Sequence, residues 1–186
     1  GARLLGLPYP GGELLSKMAQ KGNPTAFDFP RPMIDSKDLN FSFSGLKTSL
    51  LYKIQEIEKN YPPSPLLRRG YARRVKLRRA SKLKTNLSAS YQQAIIDVFA
   101  KKTLKAIRQY KPKSLVLGGG VAANELLRKT LKEKMGKNFP KVKLFLPETR
   151  FTTDNAAMIA LAAYFRAIKK DFVKIKSLKA RANLRL

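Results

Sequence analysis

Apolar and polar positions repeat with two different periods along this chain of 186 residues. Leu39, Phe41 and Phe43 alternate with Asn40, Ser42 and Ser44, the period-two pattern of a strand buried on one face. The same alternation recurs at Val142, Leu144 and Leu146 and is closed by Pro147, while 114–117 form a short apolar run. Elsewhere the period is helical. A short helix is predicted over 13–20, stopped by Gly22-Asn23-Pro24, and a second over about 46–58. A long helix over 88–109 carries Ile96, Phe99, Ala100, Leu104 and Ile107 on one face. Leu126, Leu127, Thr130 and Leu131 define an inward face over 123–135, with Gly136 as the stop signal. The last helix, over 154–168, gathers Ala157, Ala160, Leu161, Tyr164, Phe165 and Ile168 into one stripe. Strands alternating with helices predict an α/β fold whose sheet has helical cover.

One segment breaks the pattern. Residues 61–85 open with Pro62-Pro63-Ser64-Pro65 and then carry Arg68, Arg69, Arg73, Arg74, Lys76, Arg78, Arg79, Lys82 and Lys84 with no acid among them. Like charges packed this densely repel each other, so the segment reads as an exposed, flexible insertion between two helices. It serves either as an arm for a nucleic-acid backbone or as a tolerated insertion without function. The basic excess extends well beyond it: 39 Lys and Arg against 12 Asp and Glu give a formal charge of +27, which implies a polyanionic partner. No run of about 18 apolar residues exists to span a bilayer and no signal-peptide pattern opens the chain, so a soluble, cytoplasmic protein is expected. Cysteine and histidine are both absent, which excludes disulfides and thiolate zinc sites and removes the usual general base and the commonest transition-metal ligand.

Two places carry candidate chemistry. At Gly118-Gly119-Gly120 a strand breaks into a glycine turn and then a helix, an arrangement that can turn free N–H groups and a helix dipole toward a phosphate. A triple glycine also serves an ordinary tight turn, and Asn124 is either the N-cap of the following helix or a ligand-binding side chain. Asp154 is either a favourable acid in a first helical turn or a hard oxygen donor to a metal, which one carboxylate cannot hold alone. Gly11-Gly12 is a turn, or a place where a ribose or phosphate lies against the backbone.

Taken in order, Leu4-Leu5-Gly6-Leu7-Pro8-Tyr9-Pro10-Gly11-Gly12, Phe29-Pro30-Arg31-Pro32-Met33, Phe41-Ser42-Phe43-Ser44-Gly45-Leu46-Lys47-Thr48, Gly118-Gly119-Gly120-Val121-Ala122-Ala123-Asn124 and Thr153-Asp154-Asn155-Ala156-Ala157-Met158-Ile159-Ala160 closely resemble the C-terminal half of the TsaD family. These are the bacterial tRNA N6-adenosine threonylcarbamoyltransferases, formerly described as O-sialoglycoprotein endopeptidases or glycoproteases. The likeness covers 1–60 and 86–186, including the closing Lys179-Ala180-Arg181-Ala182-Asn183-Leu184, and omits the basic segment.

The resemblance implies an actin-like ATPase fold, of the sugar kinase and Hsp70 group, with two lobes around a nucleotide cleft. It implies transfer of threonylcarbamoyl from threonylcarbamoyl-AMP to N6 of the adenosine beside the anticodon, an iron or zinc ion, and TsaB and TsaE as partners. By motif, Gly12 resembles the family's substrate-contacting glycine, the Gly118-Gly119-Gly120 turn with Asn124 its adenylate-binding segment, and Asp154 its metal-binding aspartate. The family's two histidine ligands and its glycine-rich substrate loop belong to an N-terminal half that has no counterpart in these residues. The expectation is therefore one lobe with half a cleft, inactive alone. The alternative is a non-catalytic RNA-binding or assembly module derived from the family; a protease lacking both histidines has no water-activating site.

Overall fold

The computed structural model describes residues 1–60 and 71–174 together with Lys176 and Lys179, apart from the side chains of Glu58, Asn60 and 71–80. Its elements are α1 (Gly11–Ala19), α2 (Ser44–Asn60), α3 (Tyr71–Tyr110), β1 (Ser114–Val116), α4 (Glu125–Asn138), β2 (Lys143–Phe145) and α5 (Ala156–Ile168), with short 3₁₀ turns at Arg3–Leu5, Gly120–Ala123 and Thr149–Phe151. The strands β1 and β2 pair in parallel, Leu115 opposite Leu144, with α4 as the crossover between them.

Helix α3 is the axis on which everything else is assembled. From Leu87 to Gln92 every residue is buried, so at this level the helix is enclosed on all sides. Small side chains make that possible: Ser88, Ala89 and Ser90 leave room for backbone to approach closely. At Gly22, just after α1, a Cβ would lie 2.1 Å from the Thr85 carbonyl oxygen, so only glycine fits between the two segments. Ser90 Oγ accepts from the Phe27 N–H at 3.1 Å and donates to the Asn23 carbonyl at 3.2 Å, holding the chain after α1 against the helix.

Two cores sit along α3. The first gathers Leu5, Leu15, Phe29, Leu46, Leu50, Leu87, Tyr91 and Ala94, with Phe29 edge-on to Tyr91 at 5.8 Å. The second joins Ile96 to Leu127 and Leu131 of α4, with Phe99, Leu117, Leu126 and Leu144 packed around them. The helical face expected over 88–109 thus meets α4 and the sheet.

Several elements depart from the sequence pattern. Residues 40–43 form no strand: Phe41 and Phe43 pack with tilted rings against Phe99, centroids at 5.1 and 5.5 Å, and no described strand lies beside them to supply ladder partners. Aromatic alternation here serves a helix surface. Helix α4 runs through Gly136 to Asn138, because a Cβ-free residue in an exposed last turn costs little and nothing crowds it. Of the basic segment 61–85, residues 61–70 lie outside the described residues. From Tyr71 onward the backbone is helical and continuous with α3, in keeping with the helix propensity of Ala, Leu, Lys and Arg. Leu83 joins the first core while Lys82 and Lys84 stay exposed.

Three lysines of α3 grip the loop after Met33. Lys102, 1% exposed, donates to the Asp38 carbonyl at 3.0 Å, to the Asp38 carboxylate at 3.3 Å and to Ser36 Oγ. Lys105 binds the carbonyls of Ser36, Lys37 and Asp38, and Lys101 pairs with Asp35. The Ser36 hydroxyl, followed by the Asn40 N–H and Lys102, holds the Asp38 carboxyl down at about 2, despite a smaller opposing desolvation effect.

Helix α5 forms where its stripe predicts, yet no residue of it is buried. Ile159, Leu161, Tyr164, Phe165 and Ile168 are 58% to 68% exposed, because no surface among the described residues covers them. Val116 and Phe145, side by side on the sheet, are exposed as well. Among the described residues no helix is long and apolar enough to cross a membrane.

Candidate functional site

The chain leaves β1 through Leu117 into the glycine turn. Gly119 takes φ 82°, a backbone region that residues with a Cβ rarely enter, and Gly120 opens the 3₁₀ turn that delivers the chain to α4. A Cβ at Gly118 or Gly119 would meet no atom within 4 Å, so one side of the turn is open. At Gly120 the nearest atom to such a Cβ is Thr153 Cγ2, at 3.7 Å. Tertiary packing thus brings the glycine turn beside the segment that carries Asp154. Arg128 fixes this arrangement, donating to the Ala122 carbonyl at 2.9 Å and to the Pro147 carbonyl at 2.7 Å, one on each side of the βαβ unit.

Asn124 is both a cap and a hub. Its Oδ1 accepts from the Leu127 N–H at 3.0 Å and so caps α4, while its Nδ2 donates to Ser16 Oγ and to Gln92 Oε1, both at 2.9 Å. Ser16 closes the triangle by donating to Gln92 Oε1 at 2.7 Å. Three helices, α1, α3 and α4, therefore meet at one polar node. Both Nδ2 hydrogens are committed within it, while the described cap bond uses one of the two lone pairs of Oδ1. Gln20 Nε2 adds a bond from the end of α1 to Glu125 at 3.0 Å.

Gly12 lies in the first turn of α1, one helical turn before Ser16, and is exposed with no atom within 4 Å of where a Cβ would stand. It belongs to a helix start rather than to a free-standing turn. Its helix reaches the Asn124 node through Ser16, which places the start of α1 and the glycine turn on connected elements.

Asp154 is exposed and precedes the helix it was expected to begin. Asn155 is the N-cap of α5, its Oδ1 accepting from the Met158 N–H at 3.0 Å, while its Nδ2 donates to the Thr153 carbonyl at 2.9 Å. A capping role for Asp154 is thereby removed, because the neighbouring amide performs it. Among the described residues no three His, Cys, Asp or Glu side chains converge to hold a metal. The donors present do not make an iron or zinc site, and Asp154 can be at most one ligand of a centre completed from elsewhere.

Ser16, Gln92 and Arg128 are the site residues that pattern reading misses. Gln92 leaves a faint signal, a long polar side chain within the run of small buried residues on α3; Ser16 and Arg128 leave none, since an amphipathic helix carries many such residues. An apolar groove between Leu4, Leu5, Ile54, Ile57, Leu83 and Leu87 borders the first core, and none of the candidate residues lines it.

The chain is 40% identical over 185 residues to the tRNA N6-adenosine threonylcarbamoyltransferase of Thermosipho africanus (strain TCF52B), an alignment spanning 100% of this chain and 49% of that protein. It is 45% identical over 163 residues to the protein of the same name from Thermosipho melanesiensis, covering 88% and 43%. The relative from Christiangramia forsetii is 42% identical over 174 residues, covering 92% and 45%. The chain spans about half the length of these curated relatives and matches their C-terminal half. Residues 1–161 match the family described as TsaD: tRNA N6-adenosine threonylcarbamoyltransferase, and the glycine turn, the Asn124 node and the Asp154 segment all lie within that match; this chain belongs to the TsaD family.

Proposed function

We propose that this chain is the C-terminal lobe of an actin-like, tRNA-modifying transferase, and that it supplies one wall of the nucleotide cleft. The single observation that carries the reading is the open glycine turn: Gly118 and Gly119 have free space in front of them, α4 begins just behind, and Thr153 stands 3.7 Å from the Cβ position of Gly120. Backbone N–H groups and the positive end of α4 would face the phosphate of threonylcarbamoyl-AMP. The remaining Oδ1 lone pair of Asn124 would accept from a ribose hydroxyl or the adenine amino group, and the exposed Gly12 would let the substrate lie against the start of α1.

In the reaction, the N6 amine of the tRNA adenosine attacks the activated carbamoyl carbon. A C–N bond forms, the bond from that carbon to the phosphate oxygen breaks, AMP leaves with the electron pair and the amine loses a proton. This chain's part is positioning the leaving nucleotide, which favours attack by holding the reacting carbon in place. We assign no general base within it. The exposed Asp154 would contribute one ligand to the iron or zinc ion of the assembled enzyme. TsaB- and TsaE-like subunits and the N-terminal half are the partners this reading calls for, in the cytoplasm.

Mixing the chain with the N-terminal half of a Thermosipho relative, supplying tRNA and threonylcarbamoyl-AMP, and measuring threonylcarbamoyladenosine in digested tRNA by mass spectrometry tests the reading. Product from the pair and none from this chain alone is expected. Product from the chain alone would overturn the half-cleft assignment, and none from a pair shown to associate would overturn the transferase assignment. The second reading, an RNA-binding or assembly module, is favoured by the +27 charge and predicts tRNA binding without any AMP binding.

A further inference from the structure

The βαβ unit has two ends, and the glycine turn occupies only one. Because β1 and β2 are parallel, both strands begin where α3 and α4 finish, at the opposite end from Gly118. Arg108, Lys111, Lys113, Lys137, Lys141 and Lys143 all lie at this end and all are exposed. Their assembly is tertiary: they come from two helix ends and two strand starts, and the Lys143 N–H donating to the Lys113 carbonyl at 3.1 Å ties the two strand starts together.

No described acid neutralises these six. Over residues 101–143 the acids are Glu125 and Glu133; Glu125 stands in the first turn of α4, at its far end, and Glu133 faces Lys129 at 4.0 Å. Asp35 and Asp38, on the loop against α3, are already taken by Lys101 and Lys102, farther back along the helix. Complementing helix dipoles accounts for Arg108 and Lys137, each in a last turn, but not for Lys113 and Lys141, which precede the strands, or for Lys143, the first residue of β2. Two aromatic groups accompany the charge. Tyr110 is 68% exposed, and the Arg108 guanidinium lies over the Phe139 ring at 5.8 Å.

We propose that this basic end is a docking surface for an RNA sugar-phosphate backbone, about 15 Å along the strands from the glycine turn. Lysines gathered where two paired strands begin supply a sequence-independent electrostatic grip, and an exposed tyrosine at the same end supplies a stacking face for an unpaired base. A bilayer surface is a poorer fit, because membrane docking adds an inserted apolar face, and the exposed apolar residues of these strands, Val116 and Phe145, are the last residues of β1 and β2, at the end away from these lysines. The choice of RNA among polyanions rests on the tRNA-modifying reading above. The surface is remote from the cleft, so it would anchor a tRNA away from the base that reacts.

The test measures binding of a fluorescently labelled tRNA transcript to the full 186-residue chain by anisotropy across a salt series. Two variants of equal charge are compared: Lys113→Gln/Lys137→Gln/Lys141→Gln/Lys143→Gln at the basic end, and Lys21→Gln/Lys47→Gln/Lys59→Gln/Lys169→Gln elsewhere. Equal melting temperatures establish that both are folded. If each lysine at the basic end meets one phosphate, the first variant lowers the slope of log affinity against log salt by about 3 and weakens binding at least tenfold, while the second leaves the slope unchanged. Equal loss in both variants, or none in the first, overturns the proposal. Loss of binding to phosphatidylglycerol vesicles with tRNA binding intact also overturns it, in favour of a lipid surface. Because the readout is binding, a failed transferase assay with the paired halves would leave this result standing, and the reverse holds equally.

Discussion

Asn124 Nδ2 donates to Gln92 Oε1 at 2.9 Å, joining the N-terminus of α4 to the middle of α3 across 32 residues of sequence. Asn124 Oδ1 caps α4 by accepting from the Leu127 N–H, so one side chain both starts a helix and docks it. Asn124→Ala removes the cap and leaves the Gln92 carbonyl with Ser16 alone, and the expected loss is about 1–3 kcal/mol. Asn124→Asp keeps the cap acceptor but loses both donated bonds, so it should fall between wild type and alanine in urea unfolding. Equal stability of all three chains would show that the node contributes nothing.

Gly22 separates α1 from α3 at backbone contact. With its Cβ 2.1 Å from the Thr85 carbonyl oxygen, Gly22→Ala cannot be accommodated by a side-chain rotation, and the segment must shift away from the helix. A destabilisation of about 1–3 kcal/mol is expected, as for overpacking of a core. Thermal melts of Gly22→Ala beside Gly136→Ala provide the comparison: at Gly136 a Cβ meets open space inside a helix, and alanine there should raise stability by about 0.4–1 kcal/mol.

Asp38 carries a pH signature. Its carboxyl is held at about 2 against an ordinary 3.8, first by the Ser36 hydroxyl, then by the Asn40 N–H and Lys102. Since the folded value is the lower one, the carboxylate's stabilising contribution is fully present above 3.8 and is lost as pH falls through about 2. The Asn40 amide resonance, followed across that window by NMR, should titrate with the low midpoint, and Ser36→Ala should move the midpoint upward. A midpoint at the ordinary carboxylate value in the unmodified chain would contradict the hydrogen-bond assignment.

Leucines of similar pattern but different surroundings should respond differently. Leu127 is 2% exposed in the second core, and Leu127→Ala should cost about 2–5 kcal/mol. Leu161 is 60% exposed on α5, and Leu161→Ala should change stability of this chain by less than about 0.5 kcal/mol. When the N-terminal half is added, a cost at Leu161 that appears only in the mixture would mark α5 as part of the joint surface.

The sequence by itself determined the local parts of this protein: α1, α4 and α5, the two short strands and the glycine turn follow from periodicity, caps and breakers, which act over a few residues. It also determined the family, because five ordered motifs survive in the chain whatever their three-dimensional setting. Reading failed where a partner elsewhere decides the outcome. Phe41 and Phe43 alternate like a strand but cover a face of α3. Only the tertiary structure decided that Asn124 is bonded to Ser16 and Gln92, that Thr153 stands beside Gly120, and that Asn155 rather than Asp154 caps α5. Periodicity reports which face of an element is apolar; what covers that face, as the bare α5 shows, is settled by packing between segments distant in sequence.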